Sequence, residues 1–469
     1  MLIATAAFGQ QVGADLYRTS TQTAAAPVNA PSPQIGIDNS FLGSVPQGEV
    51  TPGVVSLTLL DAIDRGLKFN LGLLLADQGN LAARGARWQA LSSLLPNLQA
   101  GMAESVQQVN LAAYGLPRAP GTPSVVGPFS VFDTRAVVTQ KVVDFHDLYN
   151  SRAANENVRA AQFSYQNARD LVVLVVGASY LQALAGSARV GAAEAQFRTA
   201  QTIYRQSVDL KNAGMIAGID VLRAQVEMQA QQQRLLIAQN DFSKQLLALA
   251  RTIGMPLGQQ FTLADRIPNA KAVPITLDEA FKSAYEKRAD YGRAQSLLKA
   301  AELTRKAAIG GALPSLGVTA DYGLIGATPG NSHGTFSTAA ALKLPIFQGG
   351  KVRGDVMQAD ALMNRRRAEL DDLRGRIEYE VRTAFLDLNA AAQQLEVATS
   401  ALDVARQQVA QSRDRFAAGV TNNVELVQAQ EAQANAEENF IASLYAHNFA
   451  KLSLARALGI AEDATRRNF

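Results

Sequence analysis

Apolar residues recur every seven positions at Leu388, Leu395, Leu402, Val409 and Phe416. A second row of small residues runs beside them, offset by four, at Ala384, Ala391, Ala398, Ala405 and Ser412. Alternating large and small positions at 3–4 spacing predict long helices packed closely side by side. An earlier stretch repeats the pattern, with Val190, Phe197 and Tyr204 beside Gly186, Ala193, Ala200 and Ser207. A helix from Leu148 to Leu210 would reach roughly 95 Å at 1.5 Å per residue. That length suits a rod, a spacer or a tunnel rather than a globular core.

A second pattern has period two and predicts strands. Phe132, Thr134, Ala136, Val138, Gln140 and Val142 alternate with Asp133, Arg135, Val137, Thr139 and Lys141. Leu316, Val318, Ala320, Tyr322 and Leu324 alternate with Gly317, Thr319, Asp321 and Gly323, and Phe336 to Leu344 follows in the same way after a Gly- and Pro-rich loop. Leu98 to Asn110 is the fourth candidate, with the weakest alternation. An apolar face opposite a polar one fits a lipid-facing, water-lined barrel wall, and it equally fits a half-buried soluble sheet. Each run has about the 9–11 residues that a tilted membrane strand needs. Four strands cannot close a barrel, so a barrel would need strands from several protomers.

The order of elements occurs twice. Leu57-Thr58-Leu59-Leu60-Asp61-Ala62-Ile63 recurs as Ile275-Thr276-Leu277-Asp278-Glu279-Ala280-Phe281. Leu94-Leu95-Pro96-Asn97-Leu98 recurs, at the same offset, as Ala312-Leu313-Pro314-Ser315-Leu316. Ala213-Gly214 matches Ala418-Gly419, and Arg251-Thr252-Ile253-Gly254 matches Arg456-Ala457-Leu458-Gly459, at a shorter common offset. Four anchors in one order indicate an internal duplication. Each copy reads as a helix of about 35 residues ending near a proline, two strands, a very long helix, a glycine-containing break and another helix. The expected division is a signal-peptide remnant at 1–11, an extended N-terminal arm at 12–56, a first repeat at 57–274 with its strand pair within 98–142, and a second at 275–469 with its pair within 315–346. The start, MLIATAAFGQQ, is apolar and small like the tail of a signal peptide. The arm is rich in Pro, Ser, Thr and Ala.

Composition narrows the chemistry. The 44 basic and 41 acidic residues nearly cancel, no stripe of one sign stands out, and nucleic acid is not an expected partner. The absence of cysteine excludes disulfides, thiol catalysis and a lipid carried on cysteine. His146, His333 and His447 are too scattered for metal-ligand spacing. No phosphate-binding glycine motif or nucleophile elbow is present, so neither a catalytic residue nor a cofactor is expected, and any energy for transport must come from a partner. Arg365-Arg366-Arg367 is followed by Glu369, Asp371 and Asp372, which reads as a solvated helix face. No run of about 20 uninterrupted apolar residues exists, so no membrane-spanning helix is expected.

The duplicated unit, with its LP-x-L corner and its AG break in AGMIAGIDVLRAQ (from Ala213 to Gln225) and AGVTNNVELVQAQ (from Ala418 to Gln430), resembles the TolC-like outer-membrane efflux proteins. The resemblance covers nearly the whole chain from Leu57 to Gly459. It implies a mainly α fold with a small β part: a homotrimeric duct with a shared 12-stranded outer-membrane β-barrel and a long α-helical periplasmic tunnel, embedded in outer-membrane lipid. It also implies a tripartite efflux or type I secretion system, in which a periplasmic adaptor and, through it, an inner-membrane transporter engage the tunnel's aperture. The family's adaptor-docking tips map onto Gly214, Met215, Ile216 and Ala217 and onto Gly419, Val420, Thr421 and Asn422. The aperture residues map onto Asp220, Glu425 and Gln428. This chain has Gln428 where a second acid can occur and Thr421 where a basic gating residue can occur.

The two acids also have a plain structural reading. Glu425 stands at capping-box spacing from Asn422, and Asp220 lies where an acid complements a helix dipole. Two rival architectures remain beside the duct: a soluble coiled-coil scaffold or assembly protein, and a helical-hairpin periplasmic adaptor, which would need a lipoyl-like β-domain that the sequence does not display.

Overall fold

The computed structural model describes residues 39–114, 123–265, 275–418, 420 and 423–468. The expected signal-peptide remnant and most of the expected arm lie outside the described residues. In chain order the elements are β1 (Val55–Leu57), α1 (Leu59–Phe69), α2 (Leu71–Ser92), β2 (Asn97–Asn110), β3 (Val125–Val143), α3 (Phe145–Asn212), α4 (Gly218–Thr252) and β4 (Phe261–Leu263). There follow α5 (Leu277–Lys287), α6 (Ala289–Gly310), β5 (Ser315–Gly326), β6 (Ser332–Lys343), α7 (Lys351–Ala417), α8 (Asn423–Ala457) and α9 (Ala461–Asn468). From α1 to α4 and from α5 to α8 the order is the same.

The recurring sequence anchors are caps and corners. Thr58 and Asp61 form a reciprocal capping box at the start of α1, and Thr276 and Glu279 form another at the start of α5, each satisfying two backbone donors. Pro96 and Pro314 sit between the last helical turn and the first strand residue, where a missing N–H costs nothing.

The opening helix of about 35 residues is in fact two helices in both halves. Asn70 leaves α1 in extended conformation and caps α2, its side chain accepting from Gly72 N at 3.0 Å and donating to Phe41 O at 2.7 Å. Arg288 breaks the second pair for a tertiary reason. Its buried guanidinium makes ion pairs of 2.6 Å with both Asp290 and Glu380. Gly459, with φ of +72°, lies against this break: a Cβ there would stand 2.7 Å from Arg288 N. Gly254 approaches Phe69 in the matching place.

At 68 and 67 residues, α3 and α7 are each about 100 Å long. The upper part of α3 packs against α2 and α6, and its lower part against α4 and α8. The small seam positions Ala384, Ala391, Ala398, Ala405 and Ser412 are buried, as are Leu395, Leu402 and Phe416. In α3 the buried row is the small one, Gly186, Ala193, Ala200 and Ser207, while Val190, Phe197 and Tyr204 are half-buried. Close approach of helix backbones thus falls to the small residues.

The main core lies at mid-length, where α1, β1, β4 and the ends of α4 and α8 enclose Val172, Val176, Tyr180 and Leu181 of α3. A second core sits at the corresponding level of α7, around Ile377, Val381, Ala280 and Leu454. The end of the expected arm is fastened here: β1 pairs in parallel with β4, and Thr51 N donates to Gln259 Oε1 at 2.8 Å. An 18-residue window of α3 has a mean hydropathy of 1.8, so by length and composition this helix could cross a membrane, contrary to the expectation from uninterrupted runs. However, 67% of that window is buried within the fold, which identifies it as core.

The four long strands form one antiparallel sheet of order β2-β3-β5-β6. Register places Ala100, Ala136, Tyr322 and Phe336 in one row and Gly101, Arg135, Gly323 and Thr335 in the next. Directly opposed residues share a face. One face therefore carries Leu98, Met102, Val106, Tyr322, Phe336 and Leu342. The other carries Gln99, Ser105, Asp133, Arg135, Thr139, Asp321, Thr335 and Ser337. The apolar face is exposed, with Met102 at 74% and Phe336 at 79%. Among the described residues both outer strands, β2 and β6, have an unpaired edge.

Candidate functional site

The end of the molecule opposite the sheet is built by two helix-to-helix turns. After α3 the backbone closes with Gly214 N donating to Lys211 O and Met215 N to Leu210 O, both at 2.9 Å. Gly214 has φ of +72°, the left-handed residue such a helix end requires. After α7, Val420 N donates to Arg415 O at 3.0 Å, the equivalent bond. Met215 and Val420 are both well exposed on these turns. Of the expected tip residues, Gly214, Met215, Ile216, Ala217 and Val420 are described, whereas Gly419, Thr421 and Asn422 lie outside the described residues. The expected Asn422 cap on Glu425 therefore falls there too.

Each candidate acid meets a cation of its own chain. Asp220, in the first turn of α4, lies 3.3 Å from Arg223 one turn on. Glu425, in the first turn of α8, lies 3.6 Å from Arg415 of α7 and so bridges the turn. Both also sit where the N-terminal helix dipole favours a negative charge. Gln428 lines a groove of about 420 Å³ between α4 and α8, together with Arg223, Glu227, Ile219, Leu222, Val226, Val424 and Val427. The structure thus brings Arg223 and Gln428 to one groove, pairs Asp220 with Arg223, and pairs Glu425 with Arg415 of α7. Sequence reasoning missed Arg223, Arg415 and the apolar groove wall. The 219-222-226 spacing, one face of a helix, could have found the groove. Arg415 could be placed only once the turn had brought α7 and α8 together.

The strongest electrostatic perturbations lie at the mid-length girdle instead. Burial pushes the Asp170 carboxyl up to about 6 despite the pull of Arg456. Burial also lowers Arg456, whose Nη2 donates to Asn167 Oδ1 at 2.5 Å. For Asp290, burial pulls upward but the Arg288 hydrogen bond and charge prevail and hold it down. Arg169 of α3 and Glu462 of α9 pair at 2.9 Å across the same region. No histidine takes part in these contacts. Among the described residues no cluster of His, Asp or Glu could hold a metal ion.

The described chain is thus a 100 Å helical shaft, tipped by narrow turns and topped by a sheet with an exposed apolar face. Comparison with known proteins shows what this architecture is similar to. Residues 280–460 match the family model for outer membrane efflux proteins. The chain is 26% identical over 310 residues to the alkaline protease secretion protein AprF of Pseudomonas aeruginosa, 63% of this chain and 63% of that protein, so the match spans less than two thirds of AprF. It is 24% identical over 386 residues, 78% of each chain, to the pyoverdine export outer membrane protein OpmQ of Pseudomonas putida. Its fold matches the Campylobacter jejuni CmeC outer membrane channel with a TM-score of 0.75 and 18% identity, over 93% of this chain and 94% of that one. It also matches the open-state MtrE outer membrane channel of Neisseria gonorrhoeae, with a TM-score of 0.71 and 17% identity over 92% and 98%. The second half of the chain thus matches the outer membrane efflux protein family, and nearly the whole chain is similar in fold to solved outer-membrane channels.

Proposed function

We propose that three copies of this chain close one twelve-stranded barrel in the outer membrane and one helical tunnel in the periplasm, giving cargo a passive, gated exit. The observation that carries this reading is the sheet. It has four antiparallel strands, an exposed apolar face and, among the described residues, two unpaired edges. A lone sheet of this kind leaves both backbone edges and an apolar surface unsatisfied. A lipid-embedded barrel of three such sheets satisfies both. The equal element order of residues 57–274 and 275–469 supports an internal duplication, which would give the tunnel two similar hairpins per protomer.

In this reading the turns at 214–217 and 419–422 dock a periplasmic adaptor, through which an inner-membrane transporter supplies the energy. Asp220, Glu425 and Gln428 ring the aperture. The relatives named for protease secretion and pyoverdine export support a place in an efflux or type I secretion system. The test uses the absence of native cysteine. Ala103→Cys on β2 and Thr335→Cys on β6, treated together with a short bismaleimide in membranes, should give crosslinked species that end at the trimer. A ladder without an end, or crosslinking only in the soluble fraction, would favour the scaffold reading.

A further inference from the structure

Beneath the sheet, α2, α3 and α6 enclose an open cleft of about 570 Å³ that belongs neither to the tip nor to the girdle. Its charged lining is Arg87, Arg152, Arg159, Lys299 and Glu156, four cations against one carboxylate. Glu156 is committed to Arg159 at 2.8 Å and Lys299 at 3.1 Å. Among the described residues no carboxylate stands within ion-pair distance of Arg87 or Arg152, and Arg152 rests over the Tyr149 ring at 5.6 Å. The cleft therefore holds a surplus of positive charge and two guanidinium groups open to an anion.

Its face and its height are both fixed by the fold. Arg152, Arg159, Gln166, Val173 and Tyr180 fall seven apart on α3. Lower on this stripe Tyr180 donates to Leu57 O at 2.9 Å, beneath β1 and α1. On the adjoining row Arg169 pairs with Glu462 of α9. The cleft thus opens on the face that carries the girdle. In the tunnel proposed above that face is the outer one, because β1 and α1 packed on it would otherwise fill the bore. Arg152 lies seven residues into α3, and Arg87 five residues before the end of α2, so both are about 10 Å below the strand ends. Exposed apolar groups mark the same level: Trp88 (64%) on α2, and Ile346 (91%) and Phe347 (88%) between β6 and α7. A Trp side chain favours the membrane interface, and the Ile and Phe beside it favour the hydrocarbon it borders.

We propose that this cleft binds the phosphodiester headgroup of an anionic glycerophospholipid in the inner leaflet of the membrane that holds the barrel. Arg87 and Arg152 grip the phosphate oxygens, for which forked guanidinium donors are well suited. Arg159 and Lys299 supply the field from below, each still tied to Glu156. This rests on the barrel reading above.

The test reconstitutes the full chain in nanodiscs of phosphatidylcholine with a minor fraction of phosphatidylglycerol, extracts it gently, and counts co-purifying lipid by native mass spectrometry. Wild type should retain phosphatidylglycerol preferentially. Arg87→Gln with Arg152→Gln should cut that preference roughly twentyfold, at somewhat under a fivefold factor per surface cation, while the double Lys variant keeps most of it. The Gln pair breaks no ion pair, so folding is not at stake. Equal retention by wild type and the Gln variant, in protein that has inserted, overturns the lipid site alone. Stripping of the lipid by millimolar inorganic phosphate would reduce the cleft to a simple anion site and overturn it as well. Failure of wild type to insert would instead remove the barrel reading, and this site with it.

Discussion

Two glycines with the same backbone angle should respond very differently to alanine. Gly214 and Gly459 both have φ of +72°, so an added Cβ meets the same left-handed strain of about 1–2 kcal/mol at either position. At Gly214 nothing lies within 4 Å of the new carbon, and the cost should stop there. At Gly459 the carbon would stand 2.7 Å from Arg288 N and 2.8 Å from Lys287 C. Backbone must therefore move, which adds about 1–3 kcal/mol. The displaced segment also carries the buried Arg288 guanidinium with its two 2.6 Å ion pairs, so loosening it exposes a charge to poor pairing. Gly459→Ala should cost roughly 2–5 kcal/mol in sum. Urea unfolding of the purified protein gives the totals, and amide exchange across residues 284–292 localises the effect. Equal losses for the two variants, or unchanged exchange at the α5–α6 break in Gly459→Ala, would refute the argument.

Three further outcomes are expected. The Asp170 carboxyl, raised to about 6 by burial, binds its proton more tightly folded than unfolded. Its contribution is complete below about pH 4 and is lost as pH rises through 6. Asp170→Asn should flatten the melting temperature over that window and stabilise the protein by up to about 3 kcal/mol at pH 8; an unaltered slope would show that Asp170 is not the group involved. Phe336→Lys, on the apolar face, should lower the yield of membrane-inserted protein, with a cost of about 2–4 kcal/mol near the bilayer midplane. Ser337→Lys, on the polar face, should insert normally, and equal behaviour would argue against a lipid-facing sheet. Glu425→Gln removes one negative charge per protomer near the aperture and should lower cation preference in planar-bilayer recordings. Unchanged selectivity and conductance would take Glu425 out of the ring and leave it a partner of Arg415.

The architecture was legible in the sequence because its signals are local and repeated. Heptad rows fix the seam of α7 whatever surrounds it, and period-two runs fix which strand residues share a face. The Thr58 and Thr276 caps, the Pro96 and Pro314 corners and the Gly214 turn are each specified within a few residues by backbone hydrogen bonding. Arg288 shows where such reasoning stops. Nothing near it in sequence announces a helix break, which exists because a guanidinium reaches Asp290, Glu380 and the end of α8 at once. The same holds for Arg415 beside Glu425, for the groove between α4 and α8, and for the basic cleft that joins Arg87, Arg152 and Lys299 from three helices. Periodicity determined what each helix and strand would be. Only the tertiary structure decided which charges meet, because charge–charge energy depends on distance in space and on burial, and neither is set by separation along the chain.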